Sequence, residues 1–568
     1  MTRAVIVCDG ARRSGGVEAA DVVIELSHSG PKANVNLKIE SPSHALRSPV
    51  GPVSSDLLKI AAYAYSADRQ ISRGGSADLY GKDWQREFTV YLPVARPGTW
   101  EACNDHLSET LEFASGDKWL FRFSQAEAAI QQVPLQFDPN ETAQDPDCVC
   151  LLSGGLDSLC GAVESVTQGR RPLLVGHSPA FNVRNRRTNL IREMRRVLGG
   201  SWQFPQVSAA VSRTDGRDSK EDTQRTRSFL YAALGAIFAE RLGLPDVLLA
   251  DNGVVSLNLP ISPQLVGTLA SRSTHPKFIR LFNSLLCGLY DNPPTISNPL
   301  WSRTRAETLE VLSSPDLRGL VSQTVSCSKT RLQVPEKRHC GVCSQCIDRR
   351  FATAAARLEK EDDLGRYALD FFRDSLPPGD GRTMVLSYHA FCLKVAGLSG
   401  ERIFQEYPEL FECVTPGSPN QRVEAQALVD MLHRHAATVL RVTEEQINAA
   451  SHDMARLQLP PDCFISLLGS QGTTSPTTPP DGFKHNEDYT SVDFHGTLMS
   501  FTPTQACVIR LLDETRQKGP PGVRHAAIIV HLQQKGFSTQ RVRDLFLGSP
   551  AWHTLVITLK RGLYALAD

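Results

Sequence analysis

Ser153-Gly154-Gly155-Leu156-Asp157-Ser158 follows the apolar run Cys148 to Leu152 and opens a segment, Leu156 to Val166, whose spacing predicts a helix. Adjacent glycines between strand and helix let the backbone turn tightly and bring its N–H groups close to an anion. Ser153 and Ser158 add hydroxyl donors, and the helix start adds its positive dipole end. The run lacks the Lys-Ser/Thr pair of one nucleotide loop and the triple glycine of another. It also lacks the glycine that precedes a hydrolase nucleophile. A tight turn without a ligand is the plainer alternative. Further on, Pro172 to Gly176 and Val247 to Ala250 read as strands, and Asn185 to Leu198 and Arg225 to Leu242 as helices. Strands alternating with helices predict an α/β, doubly wound parallel sheet, whose ligands sit beyond the carboxyl ends of the strands. The loops at Ser153, His177 and Asp251 are therefore the places to look.

The second constraint is a cluster of cysteines. Of 14 in the chain, Cys327, Cys340, Cys343 and Cys346 fall within twenty residues, three of them at two-residue gaps. The N-terminus lacks a signal-peptide core, which points to a reducing, cytoplasmic setting and to a metal rather than a disulfide framework. Four thiolates suit tetrahedral Zn²⁺ or an iron–sulfur cluster, and the spacing leaves both open.

Together these motifs resemble the PP-loop ATP pyrophosphatase family and, within it, the 7-cyano-7-deazaguanine synthase (QueC) family. The match rests on SGGxDS followed about 170 residues later by Cys-x(n)-Cys-Gly-x-Cys-x-x-Cys with Arg349-Arg350 just beyond, and it covers roughly residues 147 to 360. The resemblance implies ATP cleavage between the α and β phosphates, an adenylated 7-deazapurine carboxylate, amine attack and a structural zinc. Ser153, Gly154, Gly155, Leu156 and Ser158 would hold ATP, and Asp157 would organise the loop or a Mg²⁺ ion, with Asp157 and Ser158 required for turnover; His177 is a candidate nucleotide contact only by its place after a strand. Arg227 and Ser228 at a helix start, and Asp251 and Asn252 after a strand, would meet the substrate. Cys327, Cys340, Cys343 and Cys346 would hold the zinc.

The chain is longer than that family's single domain. Its 568 residues exceed the ~150 of a typical core several-fold. Long forms with an N-terminal addition resemble proteins of bacterial antiphage operons (Qat and type IV CBASS), which implies an amine on a partner protein from the same operon as acceptor. A synthase using ammonia, a PP-loop tRNA thiolase and an ATP-binding, DNA-associated regulator are the alternatives.

The expected layout is a mixed α+β domain over 1–145, a PP-loop (adenine nucleotide α-hydrolase-like) core over 146–362, a helical extension over 363–468, a linker over 469–482 and a winged-helix-like domain over 498–568. In the first domain, Trp84 to Val94 and Trp119 to Phe123 alternate as strands around a helix over Glu101 to Ala114. In the last, Thr502-Pro503-Thr504-Gln505 predicts a capped helix start. Basic and acidic residues balance at 61 each, which excludes a general polyanion binder. Residues 502–568 carry a net +5, so DNA contact would fall there, although protein contact is the expectation for an enzyme appendage. No segment has the 18 or more apolar residues of a membrane span.

Overall fold

The computed structural model describes residues 2–13, 20–31, 33–40, 50–73, 85–126, 135–136, 146–177, 181–199, 206–213, 221, 224–261, 272–328, 337–471, 483–486, 488–494, 497–517, 522–535, 537, 541–546, 555–560 and 563–566. They fall into two compact units, the second beginning at Leu467.

Two parallel sheets organise the first unit. The strands are β1 (Thr2–Cys8), β2 (Val22–Leu26), β3 (Val35–Glu40), β4 (Arg86–Val94), β5 (Lys118–Gln125), β6 (Leu135–Gln136), β7 (Cys148–Leu151), β8 (Pro172–His177), β9 (Gln206–Arg213), β10 (Asp246–Leu248) and β11 (Thr295–Ser297). A four-stranded sheet has the order β2-β1-β4-β5, and every pair in it is parallel. The α+β expectation for this region is therefore corrected. The predicted helix over 101–114 is two helices, Pro97–Ala102 and Asn104–Ser115, and this crossover returns the chain to start β5 parallel to β4.

The larger sheet has the order β11-β10-β7-β8-β9-β3-β6, parallel except where β3 meets β9. Residue 145 is thus no seam, because β3 and β6 from the first 145 residues extend the sheet begun at β7. From β7 onward the chain moves outward to β8 and β9, then returns to β10 and β11 on the other side. The order reverses between β7 and β10, and that switch point is where doubly wound sheets open a crevice for ligands.

Both faces of β7 are covered, so it reads as a continuous apolar run. Val149 and Leu151 join one core with helix Arg227–Leu242, whereas Cys148 and Cys150 face Leu159, Cys160 and Val163 of helix Leu156–Thr167. Helices Pro52–Gln70 and Arg227–Leu242 are buried nearly all round and share the core that contains Ile6 and Phe88 of the smaller sheet. Each fully buried Leu or Phe contributes roughly 1.5–3 kcal/mol, so this shared layer binds the two sheets firmly.

After the cysteines come helices Asp380–Ala396, Gly400–Glu406 and the 35-residue Gln421–Ala455. Helix Phe464–Gln471 occupies the first three residues of the expected linker, and the remainder of that linker lies outside the described residues. Among the described residues no helix is long and apolar enough to cross a membrane.

The second unit holds an antiparallel meander, β12 (Phe483–His485), β13 (Ser491–Phe494) and β14 (Thr497–Ser500), which sequence reasoning missed. Helices Pro503–Gln517, His525–Gln534 and Val542–Phe546 follow, with a sheet of β15 (Val523–Arg524), β16 (Val556–Lys560) and β17 (Leu563–Leu566) in the order β15-β17-β16. Thr502 and Gln505 cap the first helix reciprocally, each accepting from the other's backbone N–H at 3.4 and 2.9 Å.

Candidate active site and metal centre

The glycine run lies at the carboxyl end of β7, beside the switch point. Gly154 has φ +88°, a left-handed conformation that a side chain would strain, and Gly155 then caps helix Leu156–Thr167. Ser153 and Ser158 brace the turn: their hydroxyls lie 3.0 Å apart, and Ser158 Oγ also donates to the Gly155 carbonyl at 3.0 Å. The Gly155 N–H donates to Ser153 Oγ at 3.2 Å. The Leu156 side chain is in the core, so only its backbone faces the turn. The loop is tied to the cysteine segment, since the Val325 N–H donates to the Gly154 carbonyl at 3.1 Å.

Asp157 shows what the sequence could not. Its carboxylate accepts from Arg305 Nε at 3.2 Å and Nη2 at 2.8 Å, and from Asn252 Nδ2 at 3.1 Å. Both oxygens accept hydrogen bonds, so Asp157 ties the loop to Arg305 and Asn252. Arg305 also reaches Asp348 at 3.0 Å and Gln345 Oε1 at 2.8 Å, and Asp348 accepts from Tyr388, which in turn meets His435 at 3.1 Å. A chain of bonds therefore runs from the loop through helix Ser344–Ala355 into the helical extension. Local pattern could have flagged Arg305 only through Thr304 and Glu307, which form a capping box around it.

The expected substrate residues divide. Asn252 is fully buried, its amide bonding Asp157 while its carbonyl caps helix Gly253–Leu257 through Val255 N–H. Its amide therefore serves the loop and the helix start. Ser228 is buried too, with Oγ 2.9 Å from Ser273 Oγ. His177 is 1% exposed, with its ring edge-on to Tyr65 and Tyr231 at 5.3 and 5.9 Å. Arg227 and Asp251 remain half-buried. The Arg227 guanidinium lies 5.3 Å over the Tyr231 ring, and among the described residues it has no ion pair. Asp251 accepts from Thr274 Oγ1 at 3.0 Å, and burial, then the Asp157 charge, push its carboxyl up to about 7.

The cysteines converge as expected. The Sγ atoms of Cys327, Cys340, Cys343 and Cys346 all lie within 4.8 Å of one another. Gly341 has φ +85°, and a Cβ there would meet the Leu369 carbonyl oxygen at 1.9 Å, so only glycine makes this turn. The turn brings the Cys343 N–H to Cys340 Sγ at 3.3 Å, and Cys343 caps the helix whose first turn carries Cys346. Hydrogen bonding from Cys327, then from Cys340, holds the Cys343 thiol well below its usual range. Four converging sulfurs with three of them buried suit a closed structural metal such as zinc, with no position left for substrate. Arg349, just after the cluster, is internal: it pairs with Asp362 at 2.9 Å and bonds Thr324 and the Val321 carbonyl, fixing the segment before Cys327.

Comparison with protein-family models, with curated proteins and with solved structures returns no match to this chain.

Proposed function

We propose that the chain is an ATP-dependent, AMP-forming C–N ligase that adenylates the carboxylate of a 7-deazapurine, such as 7-carboxy-7-deazaguanine, and transfers the acyl group to an amine. The proposed acceptor is a protein from the same operon, in bacterial antiphage defence. One observation carries the reading: a glycine turn at φ +88°, braced by two serines, opens a helix beside the point where the sheet order reverses.

In this reading the pyrophosphate of ATP lies against the unpaired N–H groups of the first turn of helix Leu156–Thr167. The serine hydroxyls, bonded to each other at 3.0 Å, exchange that contact for phosphate oxygens. Asp157, paired with Arg305, fixes the loop to the Cys-bearing helix. A Mg²⁺ ion bound to the nucleotide would screen the phosphates. The substrate carboxylate forms a bond to the α phosphorus and pyrophosphate leaves. An amine nitrogen then bonds to the acyl carbon and AMP departs. Arg227, with no carboxylate partner among the described residues, is placed to neutralise the substrate anion.

Incubation with ATP, Mg²⁺ and 7-carboxy-7-deazaguanine should release AMP and pyrophosphate. Absence of AMP with every amine supplied would sink the proposal. Intact mass spectrometry of co-expressed operon proteins should find the added deazaguanine acyl mass.

A further inference from the structure

Two carboxylates stand at the ends of neighbouring strands, Asp157 after β7 and Asp251 after β10, in different surroundings. Asp157 is gripped by a bidentate guanidinium and an amide. Asp251 has one neutral donor, Thr274 Oγ1 at 3.0 Å. Among the described residues, the charges that act on it most are Asp157 from helix Leu156–Thr167, Arg305 from helix Arg305–Thr308 and Arg227 from helix Arg227–Leu242. Neither guanidinium pairs with it within 4 Å among the described residues, and Arg305 is saturated by Asp157, Asp348 and Gln345. The other ionisable candidate at this edge, His177, is enclosed by tyrosines.

Resting on the ligase reading, we propose that Asp251 is the general base of the transfer half-reaction. The amine nitrogen bonds to the acyl carbon, and its proton passes to the Asp251 carboxylate. The bond from that carbon to the AMP oxygen breaks with the electron pair on AMP, and the protonated Asp251 returns its proton to water. Asp157 is fixed by Arg305 and Asn252, whereas Asp251, pushed up to about 7, can exchange a proton near neutral pH.

The test separates the half-reactions. Pyrophosphate exchange into ATP reads adenylation, and single-turnover transfer to ammonia, with free ammonia held constant as pH varies, reads the second step. Asp251→Asn should slow transfer by about 10²–10⁴-fold, with a much smaller loss of exchange. Wild-type transfer should rise with pH to a plateau above about 7, and the variant should lose that rise. Equal losses in both halves, or a raised KM for the deazapurine with transfer intact, would assign Asp251 to binding and overturn the proposal.

A second readout needs no substrate. With its folded value raised, the Asp251 carboxyl leaves stability intact below the unfolded value of 3.8 and lowers it as pH rises to about 7. Asp251→Asn should therefore melt above wild type at about pH 8 and level with it at about pH 3. Equal melting at both would overturn the proposal. A wild type without pyrophosphate exchange would instead remove the ligase reading itself, and with it the role for Asp251.

Discussion

The first unit buries two clusters of opposite charge, and they differ in balance. In one, Asp68 and Asp117 face Arg73 and Arg86, two against two, with all four side chains at most 1% exposed. Arg73 forks onto Asp117 at 2.7 and 2.5 Å, and Arg86 bridges Asp68 and Asp117 at 2.5 and 2.8 Å. In the other, Asp157 and Asp348 share Arg305, while Asp251 and Arg227 stand nearby without ion partners among the described residues. A closed, neutral cluster can only hold structure. In the proposed reading, an open one at the ends of strands would supply a proton site and a cation.

The strongest way to break that contrast is to disable the four-cysteine site that could hold a metal. Structural zinc in small domains is worth roughly 10–16 kcal/mol of apparent binding energy. Cys343→Ser, or chelation, should lower metal content from about one per chain and loosen helix Ser344–Ala355, which carries both Cys346 and Asp348. Hydrogen exchange should then rise around Arg305 and the loop, and not around Asp117. Protection lost equally at both clusters would mean that the metal supports the whole unit.

Next in size come the two arginines. Arg305→Ala takes the guanidinium from Asp157 and Asp348, and Arg86→Ala leaves Asp68 and Asp117 to share Arg73 alone; each should cost about 3–5 kcal/mol in chemical denaturation. AMP formed per folded molecule should collapse for Arg305→Ala and survive far better for Arg86→Ala. Equal collapse would make the balanced cluster part of the site. Acid acts in the same direction on stability: Asp68, beside Arg86, and Asp362, beside Arg349, have lowered carboxyls, so their contribution is present above 3.8 and is lost as pH falls below it. Asp251 runs the other way, which makes a pH series on Asp251→Asn a measure of one cluster alone.

What the sequence disclosed and what it withheld divide along contact range. The turn at Gly154 and the turn at Gly341 are set by residues within a few positions, where only glycine tolerates the backbone, so both motifs were legible. So was the strand and helix alternation from Cys148 to Ala250. Arg305 lies 148 residues from Asp157, and nothing in its neighbourhood specifies a partner. Nor does any local pattern tell that Val35–Glu40 leaves its own sheet to pair antiparallel with β9. Burial of Asn252 and His177 escaped notice for a related reason, since a polar residue after a strand looks the same whether it faces ligand or another polar group.

The smallest effect probes whether the balanced cluster sets the geometry of the open one. Asp68 Oδ2 accepts both the N–H and the hydroxyl of Thr226 at 3.0 Å, and Thr226 is the residue before helix Arg227–Leu242. The closed cluster thus fixes where Arg227 begins its helix, from 158 residues away. Thr226→Val removes one of two bonds to a buried carboxylate and should cost about 1–2 kcal/mol. If the scaffold positions the guanidinium, the KM for the deazapurine should rise several-fold as well, while Thr226→Ser, which keeps the hydroxyl, restores both stability and KM. A valine variant that is less stable yet binds substrate as well as wild type would confine the closed cluster to folding and leave Arg227 held by Tyr231 alone.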